Sequence, residues 1–174
     1  DLKAGAGQDL QARAADEVDP EINLHISAFI PQQYMADISQ RYITYRRIAA
    51  LTSAPAASHD ELQEELVDRY GPLPQELRNL FRIVSLKAEL AALRITKLER
   101  GKDSLVYSFM ADTPLQPERL LNYLQRQPKK RRVQAKLTPD GRLVVTGQPV
   151  AGDDLFASIG STIGELRRMS DDAA

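Results

Sequence analysis

The sequence predicts an α+β fold in which about five helices pack on an antiparallel or mixed sheet built largely from hairpins. Two observations support this prediction. Apolar residues recur at spacings of three and four in about five segments, as they do on the buried face of a helix. Five other segments are predicted as strands, of which residues 21–26 and 105–109 alternate polar and apolar residues, and the last four form two pairs that are each joined by a turn containing glycine.

Composition limits the classes of protein to which the chain can belong. Its 174 residues fit one domain, and 43% of them are hydrophobic, so the chain can bury a core. The absence of cysteine excludes a disulfide framework, thiol catalysis and thiolate metal sites. No apolar run approaches the roughly 20 residues that cross a bilayer, so we expect a cytoplasmic domain without membrane contact. A net charge of −1 lacks the basic excess of a dedicated nucleic-acid-binding module.

The first elements follow residues 1–20, which lack a lasting apolar period and are predicted to be a linker or tail. Polar and apolar residues alternate over residues 21–26, which predicts a half-buried strand. A long helix is predicted over residues 32–52, ending before Pro55. Its apolar residues are spaced by three or four and predict one core-facing stripe, formed by Met35, Ile38, Tyr42, Tyr45 and Ala49.

Two further helices are predicted before residue 95. The first of them starts at Ser58, because Ser58 and Glu61 match the capping box, in which both side chains accept hydrogen bonds from free backbone amides. Gly71 is placed to form a left-handed cap at its end, and Pro74 can open the next helix. The apolar faces are Leu62, Leu66 and Tyr70 in the first, and Leu77, Leu80, Phe81, Val84, Ala88 and Ala91 in the second.

The C-terminal part is predicted to contain two hairpins separated by a short helix. Its elements are, in order, strands 95–100 and 105–109, a helix within residues 114–127, strands 133–137 and 143–146, and a last helix after Gly152. The apolar stripe of this last helix is formed by Leu155, Phe156, Ile159, Ile163 and Leu166. Residues 170–174 are predicted to be a flexible tail.

Motifs that would indicate chemistry are scarce. A phosphate-binding loop needs Gly-x-x-x-x-Gly-Lys-Ser/Thr, and a nucleophile elbow needs Gly-x-Ser-x-Gly; the sequence contains neither. The two histidines, His25 and His59, stand far apart and belong to no spaced ligand motif, so both are interpreted as structural. We therefore predict that this domain is not an enzyme and has no catalytic, cofactor-binding or metal site.

The most informative local feature is an acidic face on the helix that follows Ser58. Glu61, Glu64, Glu65 and Asp68 lie three or four residues apart, on the side opposite the leucines. Each like-charge pair at this spacing costs about 0.2–0.5 kcal/mol, and Arg69 is the only basic residue on the helix to offset it. A basic partner surface would remove this cost. The alternative interpretation is a face that only keeps the domain soluble.

Two basic clusters form a candidate contact patch, which comprises Arg46, Arg47, Lys129, Lys130, Arg131 and Arg132. Such residues could bind phosphates, which leaves a nucleic-acid-binding accessory module as an alternative function. The run over residues 129–132 has no interleaved aromatic residues for stacking on single strands. The alternative interpretation is that residues 129–132 are a polar loop at the end of a helix.

Three segments resemble the C-terminal domain of the transcription-repair coupling factor family. Residues 65–74, Glu-Leu-Val-Asp-Arg-Tyr-Gly-Pro-Leu-Pro, resemble its Glu-Leu-x-Asp-Arg-Phe-Gly-x-Leu-Pro segment, and residues 41–49 resemble its Tyr-Lys/Arg-Arg-Ile-Ala helix. Residues 93–99, Leu-Arg-Ile-Thr-Lys-Leu-Glu, resemble its Leu-Gly-Ile-x-Lys-Leu-Glu strand entry. Arg94 stands where the family usually has glycine, which puts the conformation of the turn before Ile95 in question.

This resemblance implies the context in which the domain works. The parent protein would be a bacterial ATP-driven translocase on double-stranded DNA that removes stalled RNA polymerase and recruits the repair protein UvrA. ATP and magnesium would belong to the motor of the parent, and this domain would hold no cofactor. Residues 21–169 would form the family's C-terminal domain, and residues 1–20 would connect it to the preceding motor.

The resemblance also implies a regulatory role within the parent. The domain would pack on a UvrB-like module of the same protein and mask the surface that binds UvrA. In the family this contact uses acidic residues of the Glu-Leu-x-Asp-Arg segment, which correspond here to Glu65 and Asp68. We therefore hypothesise an autoinhibitory docking domain in which Glu61, Glu64 and Arg69 are neighbours of the two principal charges.

Overall fold

The computed structural model describes residues 18–128 and 132–172. This part of the chain forms five α-helices and one five-stranded sheet. The strands are β1 (Glu21–Asn23), β2 (Ile95–Arg100), β3 (Ser104–Phe109), β4 (Gln134–Leu137) and β5 (Arg142–Thr146). The helices are α1 (Ile38–Ala50), α2 (Ala56–Tyr70), α3 (Gln75–Ala92), α4 (Pro117–Arg126) and α5 (Asp153–Asp171). None of the described helices is long and apolar enough to span a bilayer.

The sheet is mixed, and its strand order is β1-β2-β3-β5-β4. β2–β3 and β4–β5 are antiparallel hairpins, as the turn residues predicted, whereas β1 pairs with β2 in parallel. The predicted α+β fold is therefore confirmed. β1 is shorter than the predicted strand over residues 21–26, because His25 adopts a φ of 53° and ends the extended run. Leu24 is nevertheless buried in the core.

Two hydrophobic clusters share helix α3. The helical core is formed by α1, α2 and the first half of α3, with Ile48, Leu62, Leu66, Leu77 and Phe81 among its members. The sheet core lies between the sheet and α5, and it includes Leu86, Leu90, Ile95, Tyr107 and Ile159. Because α3 carries one apolar stripe through both clusters, it fixes the position of the helical part relative to the sheet.

Helix α1 differs from its prediction in both length and orientation. It begins at Ile38 rather than at residue 32, because the Asp37 side chain accepts a hydrogen bond from the backbone amide of Gln40 and caps the helix there. The buried residues of α1 are Thr44 and Ile48. The predicted core stripe is wrong: Met35 is buried but precedes the helix, whereas Ile38, Tyr42, Tyr45 and Ala49 are all exposed, Ile38 at 74%.

The predicted capping box of α2 is also wrong. The helix begins two residues earlier, at Ala56, and the Ser58 amide donates to the carbonyl of Pro55. Ser58 therefore lies inside the first turn, where its side chain is not needed as a cap. The helix ends at Gly71 as predicted, where φ is 90° and the amide donates to the carbonyl of Val67, but the ψ of −170° lies outside the left-handed helical region that the sequence predicts.

The turn before β2 keeps a conformation that suits glycine, although Arg94 occupies it. Arg94 has a φ of 57°, and its amide donates to the carbonyl of Ala91. Its guanidinium lies 2.7 Å from an Asp112 carboxylate oxygen, which holds the side chain in place. Arg94 thus holds a left-handed backbone conformation, which glycine adopts at lower cost than a residue with a side chain.

Helices α4 and α5 cover the C-terminal hairpin. The apolar stripe of α5 is confirmed, with Leu155, Ile159, Ile163 and Leu166 buried and Phe156 partly buried. The helix continues through Asp171, so it includes the first two residues of the predicted tail over 170–174. In α4, Leu120 is buried, whereas Leu121 is 42% exposed and faces away from the core.

Candidate docking surface on helix α2

The buried side of α2 fixes which of its residues face outward. Leu62 and Leu66 are 4% and 3% exposed in the helical core, and this sets the rotation of the helix about its axis. The Tyr34 hydroxyl lies 3.0 and 2.9 Å from the carbonyl oxygens of Leu66 and Gly71, so its one proton is shared between these two acceptors and ties down the last turn. Because of this rotation, Glu61, Glu64 and Asp68 are exposed, as predicted from helix geometry.

Three of the four predicted acidic residues have no internal partner among the described residues. Glu61, Glu64 and Asp68 make no ion pair and no side-chain hydrogen bond within this part of the chain. Their spacing leaves each of them beside at least one like charge. These three carboxylates, which we call the open acidic face, are therefore available to a basic partner.

Glu65 is different, because it already has a partner inside the domain. Arg47 of helix α1 donates two hydrogen bonds to it, Nη1 to Oε1 at 3.0 Å and Nη2 to Oε2 at 2.5 Å. This fork geometry is the strongest that a guanidinium and a carboxylate can form. The side chains are 46% and 40% exposed, so the pair lies at the surface, over the seam between α1 and α2.

The pair has a clear electrostatic signature. The hydrogen bonds from Arg47 favour the ionised carboxylate and hold the pKa of Glu65 below its ordinary value, and the charge of Arg69 adds to this effect. The same hydrogen bonds raise the pKa of Arg47. Glu65 is therefore ionised at neutral pH, and the Arg47 guanidinium of the same domain balances much of its negative charge.

The stabilising effect of this ion pair should depend on pH. Because the pKa of Glu65 is lower in the folded than in the unfolded chain, the pair stabilises the fold above the unfolded value of about 4.3, and this contribution is lost as the pH falls through the folded pKa. At pH 7 we expect Glu65→Gln to lower the free energy of unfolding by about 0.2–1 kcal/mol, since both side chains are well exposed. Urea denaturation of the wild type and of Glu65→Gln, between pH 7 and about pH 3, measures the difference in their free energies of unfolding. A difference between the two proteins that stays constant down to about pH 3 would contradict this assignment.

The remaining residues predicted beside the acidic face take other roles. The Arg69 guanidinium lies over the Tyr70 ring, 5.2 Å from its centroid, and so contacts the end of α2. Val67 lies on the outward half of the helix and is 42% exposed. Arg69 and Val67 are therefore neighbours of the open acidic face on the same helix.

The structure separates the described members of the candidate basic patch. Arg47 is bound to Glu65, and the Arg46 guanidinium lies 5.9 Å from the centre of the Tyr42 ring on the same helix. Arg132 is exposed just before edge strand β4, on the sheet side of the domain. Residues 129–131 lie outside the described residues. A basic patch that joins the two clusters therefore stays a prediction. Arg47 also has a role that was not predicted, because it forms an ion pair with Glu65.

Of the two histidines, His59 has side-chain contacts within the described residues. His59 Nε2 lies 2.9 Å from the carbonyl oxygen of Leu51, and its Nδ1 lies 3.4 Å from the Ser85 hydroxyl. His25 is exposed at the end of β1. Within residues 18–128 and 132–172, no three side chains of the His, Asp or Glu type converge in a way that could hold a metal ion.

Comparison with known proteins identifies the family. The model of the TRCF domain family matches residues 24–120, which is more than half of the chain. The chain belongs to the TRCF domain family. The matched region of this TRCF domain contains α1, α2 and α3, and hence the acidic face and its Arg47–Glu65 pair.

Curated relatives agree with this assignment. A transcription-repair-coupling factor of Myxococcus xanthus is 31% identical over 151 residues, which cover 86% of this chain and 12% of that protein. Those of Haemophilus influenzae and Escherichia coli are both 32% identical, over 73% and 76% of the chain. The TRCF domain described here spans only about a tenth of the length of these relatives.

A solved structure supports the fold. The crystal structure of a C-terminal domain of transcription-repair coupling factor superposes with a TM-score of 0.68 and covers 88% of this chain and 96% of its own. Its sequence is 20% identical, so the likeness concerns the fold. The resemblance read from residues 41–49, 65–74 and 93–99 is thereby confirmed at the level of family and architecture.

Proposed function

We propose that this chain is a regulatory, non-catalytic domain that docks through α2 on a basic surface of the protein that carries it. That protein would be an ATP-driven DNA translocase of transcription-coupled nucleotide excision repair, with ATP and magnesium bound in its motor. The docking partner would be its UvrB-like module, and docking would mask the surface that binds UvrA. RNA polymerase and double-stranded DNA would be partners of the whole protein.

The observation that carries this proposal is the open acidic face. Glu61, Glu64 and Asp68 stand exposed, side by side and unpaired within the described residues, on a helix whose rotation is fixed by Leu62 and Leu66. A basic partner would relieve their mutual repulsion and would gain several charge contacts at once. Single exposed contacts contribute about 0.2–1 kcal/mol, which suits an interaction that must be reversible.

The Arg47–Glu65 pair refines the role of Glu65. A basic residue of the partner would have to compete with Arg47 for the same carboxylate, or bind its outer side without displacing the guanidinium. Asp68 has no such competitor among the described residues and lies one turn further along the same flank. We therefore assign Asp68 the principal docking charge, with Glu65 as a shared one.

Binding of this chain to the separately purified UvrB-like module tests the proposal. We expect Asp68→Lys to weaken the complex by roughly threefold to tenfold, because one favourable contact becomes a repulsive one. Glu118→Lys on α4 is the matched control: it makes the same change of net charge at an exposed position far from α2, and it should leave Kd unchanged at a given salt concentration. Equal Kd values for wild type and Asp68→Lys would refute the role of α2.

A further inference from the structure

A cavity of about 300 Å³ lies between helices α4 and α5 and the β4–β5 hairpin, and none of its lining residues belongs to α2. Much of its wall is aliphatic. The side chains that give it this character are Leu120 and Leu124 on α4, Leu143 and Val145 on β5, and Leu166 on α5. An engineered apolar cavity of about 150 Å³ binds benzene. Since this cavity has about twice that volume, it can hold a molecule with two fused rings.

A pair of polar side chains interrupts the aliphatic wall. Thr162 on α5 and Gln148, which follows β5, both line the cavity. The Gln148 amide nitrogen lies 3.3 Å from Thr162 Oγ1, and its amide oxygen lies 3.4 Å from the same atom. The amide nitrogen also lies 3.3 Å from the carbonyl oxygen of Ser158. Because these contacts hold both side chains in place, the cavity has one fixed polar region in an otherwise largely apolar wall.

The buried hydroxyl of Tyr107 points to a ligand at this polar region. Tyr107 is fully buried and stands directly opposite Leu143, a residue of the cavity wall, in the β3–β5 ladder. Residues in such a pair project to the same face of the sheet, so the Tyr107 side chain lies beside the cavity. Its hydroxyl is close to Thr162 but makes no hydrogen bond within the described residues. A buried hydroxyl without a partner destabilises the fold, so a bound molecule that pairs with it would be favoured.

The charges around the cavity favour an uncharged ligand. Burial raises the pKa of the Tyr107 hydroxyl well above its ordinary value, and the nearby Thr162 side chain offsets only part of this rise. Tyr107 therefore keeps its proton at neutral pH and can donate a hydrogen bond. Glu165 is the one charged side chain among the described lining residues, and the Tyr123 hydroxyl donates to it at 3.0 Å. An ionised ligand would lose its hydration against the aliphatic wall without gaining an opposite charge beside Tyr107.

We propose that this cavity binds a small uncharged molecule that combines an apolar ring system with one hydroxyl or carbonyl oxygen. The aliphatic wall would cover the rings, and the oxygen would accept a hydrogen bond from Tyr107 next to Thr162. The site shares no residue with the open acidic face, so this proposal and the docking function can fail independently.

Titration of the 174-residue chain with 2-naphthol, followed by the NMR shifts of its backbone amides, tests the proposal. Naphthalene is the matched probe, because it has the same rings and no hydroxyl. Both should bind saturably and shift the amides of α4, β5 and α5, and 2-naphthol should have a Kd roughly threefold to tenfold lower, since it alone can pair with Tyr107.

Two variants separate the hydrogen bond from the apolar contact. Tyr107→Phe keeps the ring and removes a buried polar atom that has no partner in the described residues, so it should fold. It should raise the Kd of 2-naphthol to that of naphthalene and leave the Kd of naphthalene unchanged. Tyr42→Phe is the matched control at a side chain that is 63% exposed on α1, and it should change neither value. Ala135→Leu fills part of the cavity and should weaken both probes several-fold.

Three results would overturn the proposal. The first is a lack of saturable binding of either probe up to its solubility limit. The second is a set of shifted amides that lies outside α4, β5 and α5. The third is an equal Kd of 2-naphthol for the wild type and Tyr107→Phe, because the buried hydroxyl would then make no contact with the ligand.

Discussion

Reversing Glu65 and Asp68 to lysine in the full-length protein is expected to increase its binding to UvrA by about tenfold, equivalent to about 1.4 kcal/mol. The change replaces two acidic contacts with two basic ones on the proposed docking surface, so the masked state loses stability relative to the open state. Because docking and UvrA binding would compete, whatever weakens docking raises the apparent affinity for UvrA. Titration of labelled UvrA against the wild-type and variant proteins measures the effect.

Two controls make this experiment specific. Glu118→Lys combined with Asp171→Lys makes the same change of net charge on α4 and α5, where both residues are exposed, and should leave UvrA binding unaltered. Arg47→Gln should act in the opposite direction, because it frees the Glu65 carboxylate for the docking partner and so strengthens the masked state. An unchanged affinity of the double reversal for UvrA would remove the basis for autoinhibition through α2.

A large loss of stability is expected on truncating Leu90, on the part of α3 that faces the sheet. Leu90 is fully buried in the sheet core, so Leu90→Ala removes its contacts and leaves a cavity, at a cost of about 2–5 kcal/mol. Leu121→Ala on α4 is the matched control, because Leu121 is 42% exposed and its loss should change the free energy of unfolding by less than about 0.5 kcal/mol. Urea denaturation of the 174-residue chain measures both.

Urea denaturation also tests whether the helical core and the sheet core, which share α3, unfold together in one transition. Leu77 lies in the helical core, and Leu77→Ala should cost a similar amount as Leu90→Ala while the unfolding transition stays single. Two separate transitions, with each variant shifting only one of them, would show that the helical and sheet cores unfold independently.

The sheet could be predicted well because its signals are local. Gly101 and Gly141 mark turns between two predicted strands each, and each pair closes as an antiparallel hairpin. The parallel pairing of β1 with β2 could not be read in this way, because about seventy residues separate the strands and no turn residue records their register. The alternation over residues 21–26 also predicted a strand longer than β1, because polarity does not reveal that His25 takes a positive φ.

Helix α1 shows where periodicity misleads. Ile38, Tyr42, Tyr45 and Ala49 have the spacing of a core stripe, yet they lie on the open side of the helix, and Thr44 and Ile48 are buried instead. Spacing shows that residues share a face, but tertiary packing decides which face is covered. Asp37 was the available signal for the start of the helix, because aspartate is a favoured N-cap.

The acidic face was predictable only in part. Helix geometry correctly placed Glu61, Glu64 and Asp68 on the outside of α2. It could not find Arg47 as the partner of Glu65, because the two residues are 18 positions apart on different helices and meet only when α1 and α2 pack. Spacing within a single helix therefore assigns Glu65 and Arg47 to two separate sites.

Chemical labelling of surface carboxylates tests the central claim most directly. Glu61, Glu64 and Asp68 are exposed in the 174-residue chain and should react readily with a water-soluble carbodiimide and an amine. In the resting full-length protein their labelling should fall several-fold, whereas that of Asp103, exposed in the turn between β2 and β3, should stay the same. Equal labelling of Asp68 in the isolated chain and in the resting protein would show that α2 is not a docking surface.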